Sequence, residues 1–460
     1  MLVVQRHLLL RVLPDTVAGQ VLLEQLQLLI DALATGGGAV AGAPTGVITI
    51  ADGAALLSRS LCAEVDAGTL RCSPAPDLAS GAAGVAWVLA RRARLQGDDA
   101  ALRCAVELMG RGARQSQLHP FSSVGLFEGL GGFVLALDEV AAVEPRYLPA
   151  LHRLVEDLAD RTHRLAYGVQ ISDPAMDTYD VIRGAAGQLL AILALIQSPR
   201  LTDERDMLIA LGRQRTKYLV EIVRSPRGPH LGFYVAPEFY PPHEGGFWSR
   251  YPGGQYNLGL AHGVPGILAV LGAASSAGIV VPDLDASLHS LCERLSVWSF
   301  EDEYGADWPS GIDPQHAVGS RTDAARTAWC YGTPGVSAAL GMAASALGSS
   351  SVSTLAESAR TAALARVRAG HVDNAAICHG LAGVLACLDV TPDEAPDLVG
   401  ALLSAIDPDQ HGLMRGALEE CTADTSGLLN GTAGVLAALD SFQTPDDAGL
   451  QTILGGRRRS

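Results

Sequence analysis

The chain is short of positive charge. Its 460 residues hold 33 Lys and Arg against 49 Asp and Glu, a formal net charge of −16. So acidic a surface repels a phosphate backbone, which excludes nonspecific nucleic-acid binding. The terminal Arg457-Arg458-Arg459 is too short to alter that. Little of the basic charge is lysine, while Ala, Gly and Arg abound, a usage associated with GC-rich bacterial genomes. Long uncharged apolar runs are lacking as well. The longest, near 258–282, is interrupted by Gly and Ser and reads as helix and loop, not a membrane span. The apolar start is broken by Arg6, His7 and Arg11, which excludes a signal-peptide core. No local Cys-x-x-Cys pattern occurs. The eight cysteines, at 62, 72, 104, 292, 330, 378, 387 and 421, are scattered. That distribution suits a reducing cytoplasm, with any special cysteine serving metal or catalysis.

What the chain has instead is a repeat. Gly-x-x-Gly followed by an apolar segment occurs seven times, beginning at Gly81, Gly129, Gly184, Gly263, Gly332, Gly380 and Gly431. The intervals are 48, 55, 79, 69, 48 and 51 residues, room for two helices per unit. The first glycine permits a turn that a Cβ resists, and the second lets the helix start pack closely. The following segments are apolar nearly all round, as buried helices are. Stretches such as 146–164 and 201–223 are amphipathic. The pattern predicts an all-α fold: an α/α toroid of seven helical hairpins, buried helices forming an inner barrel and amphipathic ones an outer barrel. All seven turns then gather at one end, where helix N-termini favour thiolates and oxyanions. The expected organisation is an N-terminal helical segment at 1–77 within the toroid, the repeat at 78–442, and a partly disordered tail at 443–460.

Two loop-rich segments interrupt the repeat, near 226–257 and 301–325. The first holds eight of the 23 aromatics. Both precede turns of interest and are expected to wall the same end as a substrate site, a plug of the barrel being the plainer reading. The residues before the glycines carry the chemistry. Cys330 and Cys378 both stand two positions before a first glycine, and His379 stands one before. Two thiolates and an imidazole are a three-ligand zinc set with an open fourth position. Buried apolar packing is the alternative role for cysteine, and it is the reading for Cys62, Cys292 and Cys387. His262 shares the phase of His379 without a preceding cysteine, which suits a general acid or base facing the metal. Asp180 is placed to orient His262 or hold Arg183. Arg326 and Tyr331 are placed to stabilise an oxyanion. For these three a structural ion pair or hydrogen bond remains open.

The segments Asp180–Gly187, Leu260–Gly266, Ala328–Gly335 and Cys378–Gly383 resemble the LanC family of lanthionine synthetases. The resemblance runs from about Leu78 to Phe442, and Trp329-Cys330-Tyr331-Gly332 with Cys378-His379-Gly380 is its most specific part. It implies an α/α toroid with one zinc per chain on Cys330, Cys378 and His379. It also implies catalytic roles for His262, Asp180, Arg326 and Tyr331. Thr327 stands where an acidic residue is expected. The activity implied is addition of peptide cysteine thiolates to dehydroalanine or dehydrobutyrine, forming lanthionine or methyllanthionine thioethers. The substrate is then a dehydrated ribosomal precursor peptide. With no kinase or lyase motif evident, the chain reads as a stand-alone cytoplasmic cyclase beside a separate dehydratase and an exporter. Rival readings are glutathione addition to dehydrated proteins and a non-catalytic zinc-stabilised peptide-binding scaffold. Prenyl transfer lacks a phased basic cluster, and glycoside hydrolysis lacks paired carboxylates.

Overall fold

The computed structural model describes residues 48–168, 175–226, 228–240, 245–314, 325–407, 413–414 and 426–456. Residues 1–47 of the expected N-terminal segment, Cys421 and Arg457-Arg458-Arg459 lie outside them. The described chain is predominantly helical. Its strands form three two-residue or three-residue antiparallel ladders and no closed sheet. No helix among the described residues is long and apolar enough to cross a membrane.

Each apolar segment after a glycine pair is a helix. These are α2 (Ala82–Gln96), α4 (Leu130–Val143), α6 (Ala185–Ile196), α8 (Val264–Ser276), α10 (Thr333–Leu347), α12 (Leu381–Cys387) and α14 (Thr432–Gln443). They are buried on every side; in α4 the run from Leu130 to Ala141 is buried without a break. Six amphipathic helices alternate with them: α3 (Asp99–Leu118), α5 (Leu148–Gly168), α7 (Arg205–Arg224), α9 (Leu284–Trp298), α11 (Ser350–Arg368) and α13 (Pro396–Ser404). In α3 the buried residues are Ala101, Cys104, Ala105, Leu108, Met109 and Gly112, one stripe of a 3.6-residue period.

Packing among the buried helices runs in a cycle. Helix α2 packs on α4, α4 on α6, α6 on α8, α8 on α10, α10 on α12, α12 on α14, and α14 on α2. Each amphipathic helix packs on the buried helix before it, and the partner of α14 is α1 (Ile50–Ala67), the first described helix. The expected tail contains a further element, α15 (Gly449–Ile453), which packs on α6, α12 and α14 with Leu450, Ile453 and Leu454 buried. Arg91 and Arg94 of α2 hold its approach through Asp447.

The glycines work by space more than by dihedral angle. A Cβ on the second glycine of each pair would overlap a backbone carbonyl oxygen six residues earlier, from Leu78 behind Gly84 to Leu428 behind Gly434. Among the first glycines described, only Gly332 needs a left-handed angle, with φ +95. The helix starts also correct one expectation. The N–H groups of Leu381, Ala382 and Gly383 donate to the carbonyls of Asn374, Ala375 and Ala376. Those of Leu130 and Gly132 donate to Ser123 and Gly125. At these two helix starts the donors are consumed within the turn and are not open to an oxyanion.

Candidate metal centre

The turns are tied to one another through the main chain. Ala79 N–H donates to Phe127 (3.0 Å), Phe127 to Ile182 (3.1 Å), and Val181 to Ala261 (3.0 Å). Ala261 donates to Cys330 (3.2 Å), Cys330 to Cys378 (3.2 Å), Cys378 to Leu429 (2.8 Å), and Leu429 back to Ala79 (2.9 Å). These carbonyls all belong to the residue two before a first glycine. Cys330 and Cys378 are therefore adjacent links, and their side chains start from equivalent, neighbouring points.

The ligand atoms of Cys330, Cys378 and His379 lie within 4.8 Å of one another. Cys330 Sγ is 3.6 Å from His379 Nδ1. Tetrahedral zinc with Zn–S near 2.3 Å and Zn–N near 2.0–2.1 Å sets sulfur and nitrogen about 3.6 Å apart. The donor set and its spacing thus fit a zinc ion with one position left for another ligand. Hydrogen bonding from Cys378 holds the Cys330 thiol well below its usual pKa, against burial and with help from His379 and Arg326. Cys62, Cys292 and Cys387 are buried, and burial raises the thiol pKa of Cys292 and Cys387, as suits inert packing residues.

Asp180 and His262 meet. Asp180 is 2% exposed, and its Oδ2 is 2.8 Å from His262 Nδ1. Its Oδ1 accepts the N–H groups of Arg183 and Gly184, each at 2.7 Å. Asp180 therefore contacts both His262 and the Arg183 main chain. Arg183 itself pairs with Glu128 at 2.5 Å. The centroids of His262 and Tyr331 are 6.3 Å apart. Arg326 is half-exposed and lies 3.4 Å from Asp373.

One contributor was missed by sequence reasoning. Asn257 Nδ2 donates to the Tyr331 hydroxyl at 2.9 Å, and its Oδ1 accepts Gly259 N–H at 2.9 Å. A Cβ on Gly259 would collide with the Tyr331 ring. Asn257 ends the first loop-rich segment, where β1 (Tyr256–Asn257) pairs with β2 (Gly311–Ile312) of the second. The signal that could have found it is phase. Asn257, Ser123 and Asn374 all stand six before a first glycine, and each side chain accepts the N–H two residues on.

A family model described as lanthionine synthetase C-like protein matches residues 74–454. The chain belongs to this family. A curated relative, the nisin biosynthesis protein NisC of Lactococcus lactis subsp. lactis, is 26% identical over 270 residues. That match takes in 56% of this chain and 60% of the relative's length, less than two thirds of it. Among solved structures, nisin cyclase superposes with a TM-score of 0.69 at 18% identity, covering 86% of this chain and 96% of that one. At that identity the likeness establishes the shared fold.

Proposed function

We propose that this chain is a zinc-dependent lanthipeptide cyclase, joining cysteine thiols to dehydroalanine or dehydrobutyrine within a dehydrated ribosomal precursor peptide. The observation that carries it is the meeting of Cys330, Cys378 and His379, in a chain of this family that also holds an Asp180-bound His262. The helices are read as seven hairpins of one α/α toroid, with α1 completing the seventh and the two loop segments at the active-site end. The cyclic order of helix contacts and turn hydrogen bonds supports that reading. The working context proposed is the cytoplasm, with a separate dehydratase and an exporter.

Zinc bound there would supply a Lewis acid that lowers the pKa of a thiol taking the fourth position. The remaining work falls to the protein's own groups. Cys330 and Cys378 supply two thiolates that offset the dication. Asp180 accepts the Nδ1 hydrogen of His262, which leaves Nε2 to take the thiol proton. The sulfur forms a bond to the β-carbon as the carbon–carbon π bond breaks, and the electron pair moves to the carbonyl as an enolate. Arg326 and Tyr331 are the side-chain donors for that oxygen. His262 returns the proton to Cα, and atoms and charge balance.

The test pairs two variants on a dehydrated precursor peptide. Loss of free thiol at unchanged peptide mass reports cyclisation; a mass gain reports an external thiol instead. His262→Ala should slow cyclisation by about 10²–10⁴-fold with zinc retained. Cys330→Ala should lose both zinc and activity. A His262→Ala enzyme working near the wild-type rate across pH would remove the acid–base assignment, and full zinc in Cys330→Ala would remove the metal site.

A further inference from the structure

Buried arginines in this protein have carboxylate partners, with one exception among the described residues. Arg92 meets Asp440 at 2.6 Å and Asp98 at 2.9 Å. Arg360 meets Glu394 at 2.6 Å, and Arg366 meets Asp302 at 2.6 Å. Arg215 of α7, 3% exposed, has the Gln188 amide oxygen at 3.4 Å and the Tyr218 ring 5.2 Å away. Its Nε and Nη2 are buried with no hydrogen-bond partner. Desolvation holds its pKa below the usual guanidinium value. A charge so placed is costly unless a partner arrives.

Arg215 lines a cavity of about 270 Å³ together with Arg183, Gln188 and the hydroxyl residues Ser122, Ser123 and Thr178. The cavity adjoins the catalytic turn, because Arg183 follows Asp180 in that turn and its carbonyl accepts from Ser123 Oγ at 3.2 Å. Nε and Nη2 are the two nitrogens that present parallel N–H bonds on one side of a guanidinium, the fork that grips a planar carboxylate; both are closed to solvent here, so a ligand in the cavity meets them only when the side chain or the wall shifts. The charges around the cavity already balance, Arg183 against Glu128 and Arg215 against the wall residue Asp177, so the cavity takes one negative charge at most and a phosphate dianion is disfavoured.

We infer that this cavity is a subsite for an acidic side chain of the peptide substrate, with Arg215 as its cation. The owner of the carboxylate rests on the cyclase reading; the carboxylate chemistry does not. The probes are N-acetyl-glutamate N-methylamide, its glutamine counterpart and inorganic phosphate, titrated into the full chain by calorimetry and followed by thermal unfolding. The glutamate probe should bind the wild type and raise its Tm, by about 2 °C at tenfold excess over Kd. The glutamine probe should do neither. Arg215→Met should weaken glutamate binding about tenfold or more, while its own ligand-free Tm holds or rises because an unpaired buried charge is gone. In a second arm, exchanging Asp and Glu of the dehydrated precursor for amides should weaken its binding to wild type and not to Arg215→Met.

Equal binding of the glutamine probe, or binding of phosphate alone, overturns the proposal. So does a wild type that ignores the glutamate probe. Should Arg215→Met fail to fold, the wild-type comparison of the two probes decides. Failure of cyclisation in the zinc and His262 tests would leave a positive probe result standing, and a negative probe result would leave the cyclase reading standing.

Discussion

Asp180→Asn separates orientation from folding at a single atom. The asparagine oxygen can keep both backbone N–H groups now held at 2.7 Å. Its NH₂ then faces His262 Nδ1, which must become an acceptor, so the ring hydrogen moves to Nε2 and the base is lost. Cyclisation should fall by about 10²–10⁴-fold. Exchanging two charge-assisted bonds for neutral ones should cost about 1–2 kcal/mol of stability. Asp180→Ala strands both N–H groups and should cost about 2–6 kcal/mol. An internal control exists. Asp77 stands at the same phase of the first turn, and its Oδ1 accepts Ser80 and Gly81 N–H at 2.9 Å each. Asp77→Asn should show the same small stability loss with activity within a few-fold of wild type. The assays are thiol loss in a dehydrated precursor, zinc per chain, and thermal unfolding. Near wild-type turnover by Asp180→Asn would falsify the orientation argument. Equal loss by Asp77→Asn would move the effect from His262 to the turn.

Cys378→Ala should purify without zinc yet keep its helical circular dichroism, because apolar helix packing holds the fold; unfolding would mark the metal as structural. Gly383→Ala should lower stability by about 2–4 kcal/mol, since its Cβ would overlap the Ile377 carbonyl. Gly400→Ala, in α13 with nothing within 4 Å, should raise it by about 0.5–1 kcal/mol; denaturant titration measures both. Burial opposes ionisation of Asp447, but Arg91, the Gly449 N–H and Arg94 together outweigh it and hold the carboxyl at about 2. A depressed carboxylate stabilises the folded state above its unfolded pKa near 4 and loses that contribution as pH falls through about 2. The stability gap between wild type and Asp447→Asn should therefore be constant above pH 5 and close between about pH 4 and 2. A gap that persists at pH 2 would refute the ion-pair account of how α15 is held.

The turns were legible because their constraint is local. Each second glycine answers to a carbonyl six residues earlier, so the motif and its cause share one short segment. The meeting of Cys330, Cys378 and His379 was legible through phase, since equivalent links of the turn cycle occupy equivalent sequence positions. What stayed hidden depends on distant partners. Asn257 is placed by its bond to Tyr331 and by β1–β2 pairing, neither of which its own segment announces. Arg215 looked like one more charge on an amphipathic helix, because sequence shows its helical stripe and not the missing carboxylate. Helix α15, within the segment expected as a tail, likewise finds its neighbours on helices from three separate parts of the chain.

The pairing of α1 with α14 has a consequence for how the protein is made. Ser426 bonds Glu64 at 2.6 Å across 362 residues of chain, and Leu429 completes the turn series at Ala79. Each hairpin can collapse as it leaves the ribosome, from contacts close in sequence. The apolar stripe of α1 has to wait for α14, which lies far along the chain. Until α14 has been made, the faces of α1 and α2 that it covers stay open to solvent. A chain stalled before α14 therefore exposes apolar surface, and such surface promotes aggregation.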